Sequence, residues 1–198
     1  MRGYMNTPEI VLDNIRRRRT VKPVTFLQGT ISDEIINEIL ESANWAPNHG
    51  KTEPWRLTVF SGSGIDTYVQ IIEDVFAETP DDQKKPQKLA KWTANAPHAS
   101  HIIAFGLKRT NNSPIPKVEE LHAVSCAAQN MMLMATAHNV ASYWSSGISH
   151  MPTAAAAFGL DGDEDQMLGF LHLGLVDHGI ETSTRKTPIA DKTTWVTG

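Results

Sequence analysis

The chain has 198 residues, 40% of them hydrophobic and 20% charged, which suits one domain with a sizeable core and is too apolar for a disordered chain. A formal net charge of -4 argues against a nucleic-acid binder, which needs a basic excess over a whole face, and the single cysteine, Cys126, excludes an intrachain disulfide or a multi-thiolate zinc site. No apolar run approaches the roughly 20 residues that span a bilayer, and the first ten residues lack a signal-peptide core, so a cytoplasmic protein without membrane insertion is expected.

The first predicted element is a helix over "TPEIVLDNIRRRR", with Thr7 as cap, Pro8 and Glu9 in its first turn and Arg16 to Arg19 at the negative end of its dipole. A second helix runs from Ser32 to about Trp45, with Ile35, Ile36, Ile39, Leu40 and Ala43 at helical spacing and Ile31 stapling onto Ile36. "WRLTVFSG" reads as a strand anchored in the core by Trp55, and "IDTYVQIIEDVFA" as a helix facing inward with Ile65, Tyr68, Ile72, Val75 and Phe76. A charged stretch over residues 80 to 91, with room for a further helix, leads to the buried strand "HIIAFGL". The longest helix, "VEELHAVSCAAQNMMLMATAH", carries an apolar period all along its length and is expected at the centre, with Cys126 as a small core residue. "ASYWSS" follows as a strand, "TAAAAFGL" as a short helix capped by Thr153, and "MLGFLHLGLV" as a strand apolar enough to lie mid-sheet. An irregular tail from residue 177 to 198 ends the chain. Helices and strands in this order predict a single α+β domain over residues 1–198.

Few motifs carry chemistry of their own. The arginine run is too isolated for a nucleic-acid patch, and a bound anion is its better functional reading. "FSGSGIDT" lacks the third glycine of a dinucleotide fingerprint, having Thr67 in its place, and reads as a plain turn. His98 and His101 are the closest histidine pair, with no third ligand nearby, so no metal is expected. There is no nucleophile signature and no paired-carboxylate arrangement, so an enzyme of this sequence would rely on a cofactor for its reaction.

"RRRTVK" and "WAPNHGKTEPWR", together with "AAQNMMLMA", "YWSSGIS" and "GFLHLGLVDHG", resemble the nitroreductase family of FMN-dependent NAD(P)H oxidoreductases, especially its short bacterial members. The resemblance runs over nearly the whole chain, and its most specific part is W-A-P-N-H-x-x-T-x-P-W-R. It implies a central mixed or antiparallel sheet flanked by helices, and a homodimer with FMN at the interface.

Residue by residue, the resemblance places Arg18, Arg19 and Thr20 on the FMN phosphate and ribityl chain, where guanidinium groups make charge-assisted hydrogen bonds and a hydroxyl adds another. Threonine stands where serine is commoner. Lys22 would face N1 and the C2 carbonyl of the ring, and Arg185 in the tail would be a third phosphate cation, with Lys186 as its alternative. Trp45, Pro47, Asn48 and His49 would line the side of the flavin held by the partner chain, helix-end packing being the other reading of Trp45. Trp144, Ser145, Ser146 and Gly147 would bring backbone toward N5 and the C4 carbonyl, glycine permitting the close approach. Gln129 and Asn130 are polar on an apolar helix, consistent with helix-to-helix hydrogen bonds or with a nicotinamide-side contact. No side chain need be an obligate acid or base. The implied cycle is ping-pong, hydride passing from NADH or NADPH to flavin N5 and electrons then passing to a small-molecule acceptor such as a nitroaromatic, a quinone or a free flavin. A non-catalytic FMN carrier, or a relative with other flavin chemistry, is the alternative.

Overall fold

A computed structural model describes residues 6–110, 112–151, 153–177 and 184–198; part of the tail, residues 178–183, lies outside the described residues. Four strands, β1 (Trp55–Ser61), β2 (His101–Leu107), β3 (Val140–Ser145) and β4 (Gln166–Leu175), form one sheet in the order β1-β2-β4-β3, each pair antiparallel. The six α-helices among the described residues are α1 (Thr7–Arg17), α2 (Asp33–Asn44), α3 (Gly64–Glu78), α4 (Pro86–Asn95), α5 (Lys117–Ala137) and the short α6 (Ala154–Ala157). The α+β architecture expected from the sequence is the one observed, with an antiparallel sheet.

Period-two alternation explains the layering. In β2 every residue is buried: Ile103, Phe105 and Leu107 pack toward α2 and α5, while Ile102 and Ala104 pack toward α3 and the segment around Ile148. Both central strands, β2 and β4, are therefore covered on two faces. The alanines of α5, Ala123, Ala127, Ala128 and Ala135, are buried and let this helix sit close to the sheet and to α2. Asn130 donates from Nδ2 to the Ser42 carbonyl (3.1 Å), joining α5 to α2, so it serves the helix-to-helix reading.

Two local details differ from expectation. The cap of α1 is Asn6 rather than Thr7: its side chain accepts from the Glu9 N–H (3.2 Å) while Glu9 accepts from the Asn6 N–H (3.0 Å), a reciprocal capping box. Thr153 makes no capping hydrogen bond to α6. The loop after β2 is pinned at the start of α5 by Arg109, which donates from Nη2 to the Ile115 carbonyl (2.8 Å) and lies 3.1 Å from the buried Glu120 carboxylate. That last approach is close in distance but not aligned as a hydrogen bond, so its pull is charge on charge at low exposure.

His172, in the middle of β4, is buried between the rings of Tyr68 and Tyr143, with centroids 6.0 and 5.9 Å away, and its Nδ1 has no hydrogen-bond partner among the described residues. Burial pushes its imidazole down to about 4 from the usual 6.5. The unfolded chain takes up a proton below that ordinary value, whereas the folded chain refuses it until about 4. Stability from this group is therefore whole above the ordinary value and falls as the pH drops through the interval. Between about pH 7 and pH 5 the loss should be on the order of 2 kcal/mol, read from denaturant midpoints. His172→Phe, which keeps a ring against both tyrosines, should flatten the decline, leaving the smaller slope of His101, whose pKa burial also lowers. An unaltered slope in that variant contradicts the assignment.

Candidate functional site

Helix α1 ends because Arg18 leaves helical geometry, its N–H still bonded to the Asn14 carbonyl (3.1 Å). The chain then runs along the outer edge of β3: Thr20 pairs with Ser142 in parallel, and Val21 N–H donates to the Ser142 carbonyl (3.1 Å). This edge position divides the arginine run. Arg17 stays on the helix, paired with Asp13 at 2.9 Å, while Arg18 and Arg19 are half-buried beside the sheet. Arg19 donates from Nη1 to the Arg18 carbonyl (2.7 Å).

Arg185 comes to the same place from the tail. Partial burial, then the positive charges of Arg19 and Arg185, hold the Arg18 guanidinium below its ordinary pKa. The charges of Arg19 and Arg185 thus bear on the Arg18 guanidinium, and a multiply charged anion bound beside it would offset that repulsion. Thr20 and Lys22 are exposed on the same extended segment, Lys22 leading toward a short 3-10 turn at Pro23–Thr25.

At the far end of β3, the second group of expected residues forms a turn. The Trp144 indole points inward, 5.0 Å from the Phe105 ring, and Nε1 donates to the Leu168 carbonyl (3.4 Å) at the bulge where β2 and β4 shift register. Ser145 is buried and its Oγ accepts from the Gly147 N–H (3.1 Å). Gly147 has φ of +50°, and a Cβ there would lie 2.8 Å from the Phe170 ring, so only glycine fits without displacement. Trp144 and Ser145 therefore build the turn, and Ser146 and Gly147 provide its backbone.

The third group sits elsewhere. Trp45 is 77% exposed at the end of α2, its Nε1 donating to Glu41 (2.9 Å), beside an apolar groove of about 390 Å³ shared with Met134. Helix-end packing does not account for so exposed an indole. Pro47 is exposed as well. Asn48 braces the following loop, accepting from the Glu53 N–H (3.2 Å) and donating to the Ala46 carbonyl (3.3 Å). His49 Nδ1 lies 2.7 Å from Glu119 in the acidic first turn of α5, a partner 70 residues away along the chain. Gly50, Lys51 and Glu53 have φ of 64°, 54° and 44°, and two left-handed non-glycine residues in one short loop are costly backbone of the kind that clusters at functional sites.

The chain matches the model of the Nitroreductase family over residues 15–175. It is 27% identical over 195 residues to a protein of Escherichia coli strain K12 named "Putative NAD(P)H nitroreductase YdjA", covering 98% of this chain and 99% of that one. Solved structures share the fold. One is a nitroreductase-like family protein from Bacillus cereus, with 24% identity, a TM-score of 0.79 and 100% coverage of both chains. Another is the FMN-dependent nitroreductase NfnB from Mycobacterium smegmatis in complex with NADPH, with 17% identity, a TM-score of 0.70 and coverage of 97% and 100%. The matched residues include all four strands, the arginine pair and the turn after β3, and the chain belongs to the nitroreductase family.

Proposed function

We propose that this chain is an FMN-dependent NAD(P)H oxidoreductase that works as a homodimer, with FMN in two sites at the subunit interface. The observation that carries the reading is the convergence of Arg18, Arg19 and Arg185. Their combined charge suits the terminal dianionic phosphate of FMN, and the neighbouring Thr20 hydroxyl suits the ribityl chain. The FMN-dependent relative with bound NADPH supports both the cofactor and the donor.

Each remaining group has a positioning or electrostatic task. Lys22 supplies a positive charge to the N1 and C2-carbonyl edge of the ring, and the backbone of Ser146 and Gly147 approaches the N5 edge, Phe170 behind the turn holding it in place. Bound there, FMN would supply the redox chemistry for a ping-pong transfer of electrons from NADH or NADPH to a nitroaromatic, quinone or flavin acceptor. No side chain of the protein acts as an obligate acid or base.

The dimer is supported by what one chain leaves uncovered. On α1, Ile10, Val11, Leu12 and Ile15 are each at least 45% exposed, and α1 contributes no buried residue to its own core. In the tail, Ile189, Trp195 and Val196 are exposed by 77% or more. Apolar groups in that number at both ends of a chain call for a cover. With the partner in place, Trp45, Pro47, Asn48 and His49 of one chain face the FMN held by the arginines of the other.

The reading is tested first on purified protein. It should carry non-covalent FMN, and anaerobic NADH or NADPH should bleach the flavin band; the absence of bleaching by either donor contradicts the enzyme reading. Arg19→Ala should weaken FMN by roughly 1.5 to 3 kcal/mol, about ten-fold or more, in equilibrium binding. Unchanged affinity moves the phosphate elsewhere.

The shared site has its own test. Arg19→Ala damages the phosphate half and the Asn48→Ala, His49→Ala double variant the partner half, so in a mixed heterodimer both lesions fall on one site. Differently tagged, co-expressed heterodimers should recover about half of the wild-type flavin and turnover while each variant homodimer stays poor. No recovery over the homodimers, or a monomer that keeps FMN and activity, contradicts a cross-subunit site.

A further inference from the structure

The turn after β3 has a second side. Ser149 N–H donates to the Ser146 carbonyl and Met151 N–H to the Ile148 carbonyl, both at 2.8 Å, and the buried side chains of Ile148 and Met151 anchor the segment. Gly147 and His150 are thereby held in fixed relation, no more than about 10 Å apart along the chain. His150 does not face the flavin turn alone: it lines a surface pocket of about 290 Å³ with Asp82, Lys85, Lys88, Trp92 and Met151.

The chemistry of that pocket is specific. Lys85 is the N-cap residue of α4, Lys88 and Trp92 follow within the helix, and all three line the pocket. Lys84 is spent on Asp81 (3.0 Å), whereas Lys85 and Lys88 have no ion-pair partner among the described residues. The Trp92 ring is half-buried and lies edge-on to the His150 ring, with centroids 6.4 Å apart, fixing a flat aromatic wall. Two ammonium groups and an imidazole against the single carboxylate of Asp82 favour a compact dianion, and the indole offers a stacking surface for a base. Neither group is used by the FMN site.

We propose that this pocket receives the adenosine half of NADPH, with Lys85 and Lys88 on the 2′-phosphate and Trp92 against the adenine, and so selects NADPH over NADH. The inference rests on the oxidoreductase reading, because that reading puts the nicotinamide at the Gly147 turn, and the span from there to His150 is shorter than an extended dinucleotide.

The FMN-loaded dimer is titrated calorimetrically with adenosine 2′,5′-bisphosphate and, separately, adenosine 5′-monophosphate. The bisphosphate should bind more tightly, and the Lys85→Ala, Lys88→Ala double variant should lose about ten-fold or more of its affinity while the monophosphate is unaffected. Both lysines are exposed, so the fold is preserved. In turnover the same variant should raise the KM for NADPH about ten-fold and leave kcat, and the KM for NADH, unchanged. Equal affinity of the wild type for the two nucleotides, or equal losses for both in the variant, overturns the proposal. Failure of both donors to reduce the flavin defeats the oxidoreductase reading instead, and the calorimetry still decides the pocket.

Discussion

Like charge held close together is the constraint around which this structure is arranged. Arg18 and Arg19 are fixed by the end of α1 and by the parallel pairing of Thr20 along β3, and Arg185 is brought to them from the far end of the chain. The positive charges of Arg19 and Arg185 disfavour the charge of Arg18. In the proposed site a phosphate dianion would relieve that repulsion and gain binding energy from it. The exposed edge of β3 gives the segment a backbone partner at Ser142, which keeps two long, charged side chains from dispersing into solvent.

The same strand carries the other half of the account. β3 begins near the arginine segment and ends in the turn built by Trp144, Ser145 and Gly147, so in the proposed site one strand would space the phosphate end of a flavin from its ring. The rigidity of the turn comes from beneath it: Phe105 and the Leu168 carbonyl hold the indole, and Phe170 leaves no space for a side chain at residue 147. By contrast, the Trp45 to Glu53 loop leaves Trp45, Pro47 and His49 exposed in its own chain. Its left-handed residues, exposed indole and solvent-facing His49 to Glu119 pair support the proposal that another subunit completes this surface.

Much of this was legible in the sequence where the signal is local. The periodic runs of α2, α3 and α5 and the continuous apolar stretches of β2 and β4 are properties of neighbouring residues, and they fold as their patterns predict. The arginine pair and the Trp144 to Gly147 run stand out for the same reason, through their resemblance to family motifs, and their roles toward a flavin belong to the proposed function. Contacts across large sequence separations were not. Nothing near His172 announces two tyrosine rings from α3 and β3, nothing near Arg109 announces Glu120 as its buried counterion, and the bulge at Leu168 that receives the Trp144 N–H depends on strand register. The choice of Asn6 over Thr7 as the cap of α1 shows the limit at short range: both residues suit the position, and the reciprocal bond with Glu9 decides between them. Lys85 and Lys88 fall in the charged stretch over residues 80 to 91 and Trp92 just after it, and their relation to His150 exists only once α4 packs against the turn after β3.

The central claim is that the arginine cluster exists for a phosphate, and comparing FMN with riboflavin on the apoprotein addresses it most directly. The two ligands share the ring and the ribityl chain and differ in the phosphate alone. Equilibrium titration should show FMN binding at least about a hundred-fold more tightly than riboflavin, as expected for two or more charge-assisted contacts. The advantage should shrink as salt is raised, because the cluster is only partly buried. Equal affinity for the two flavins would contradict the account.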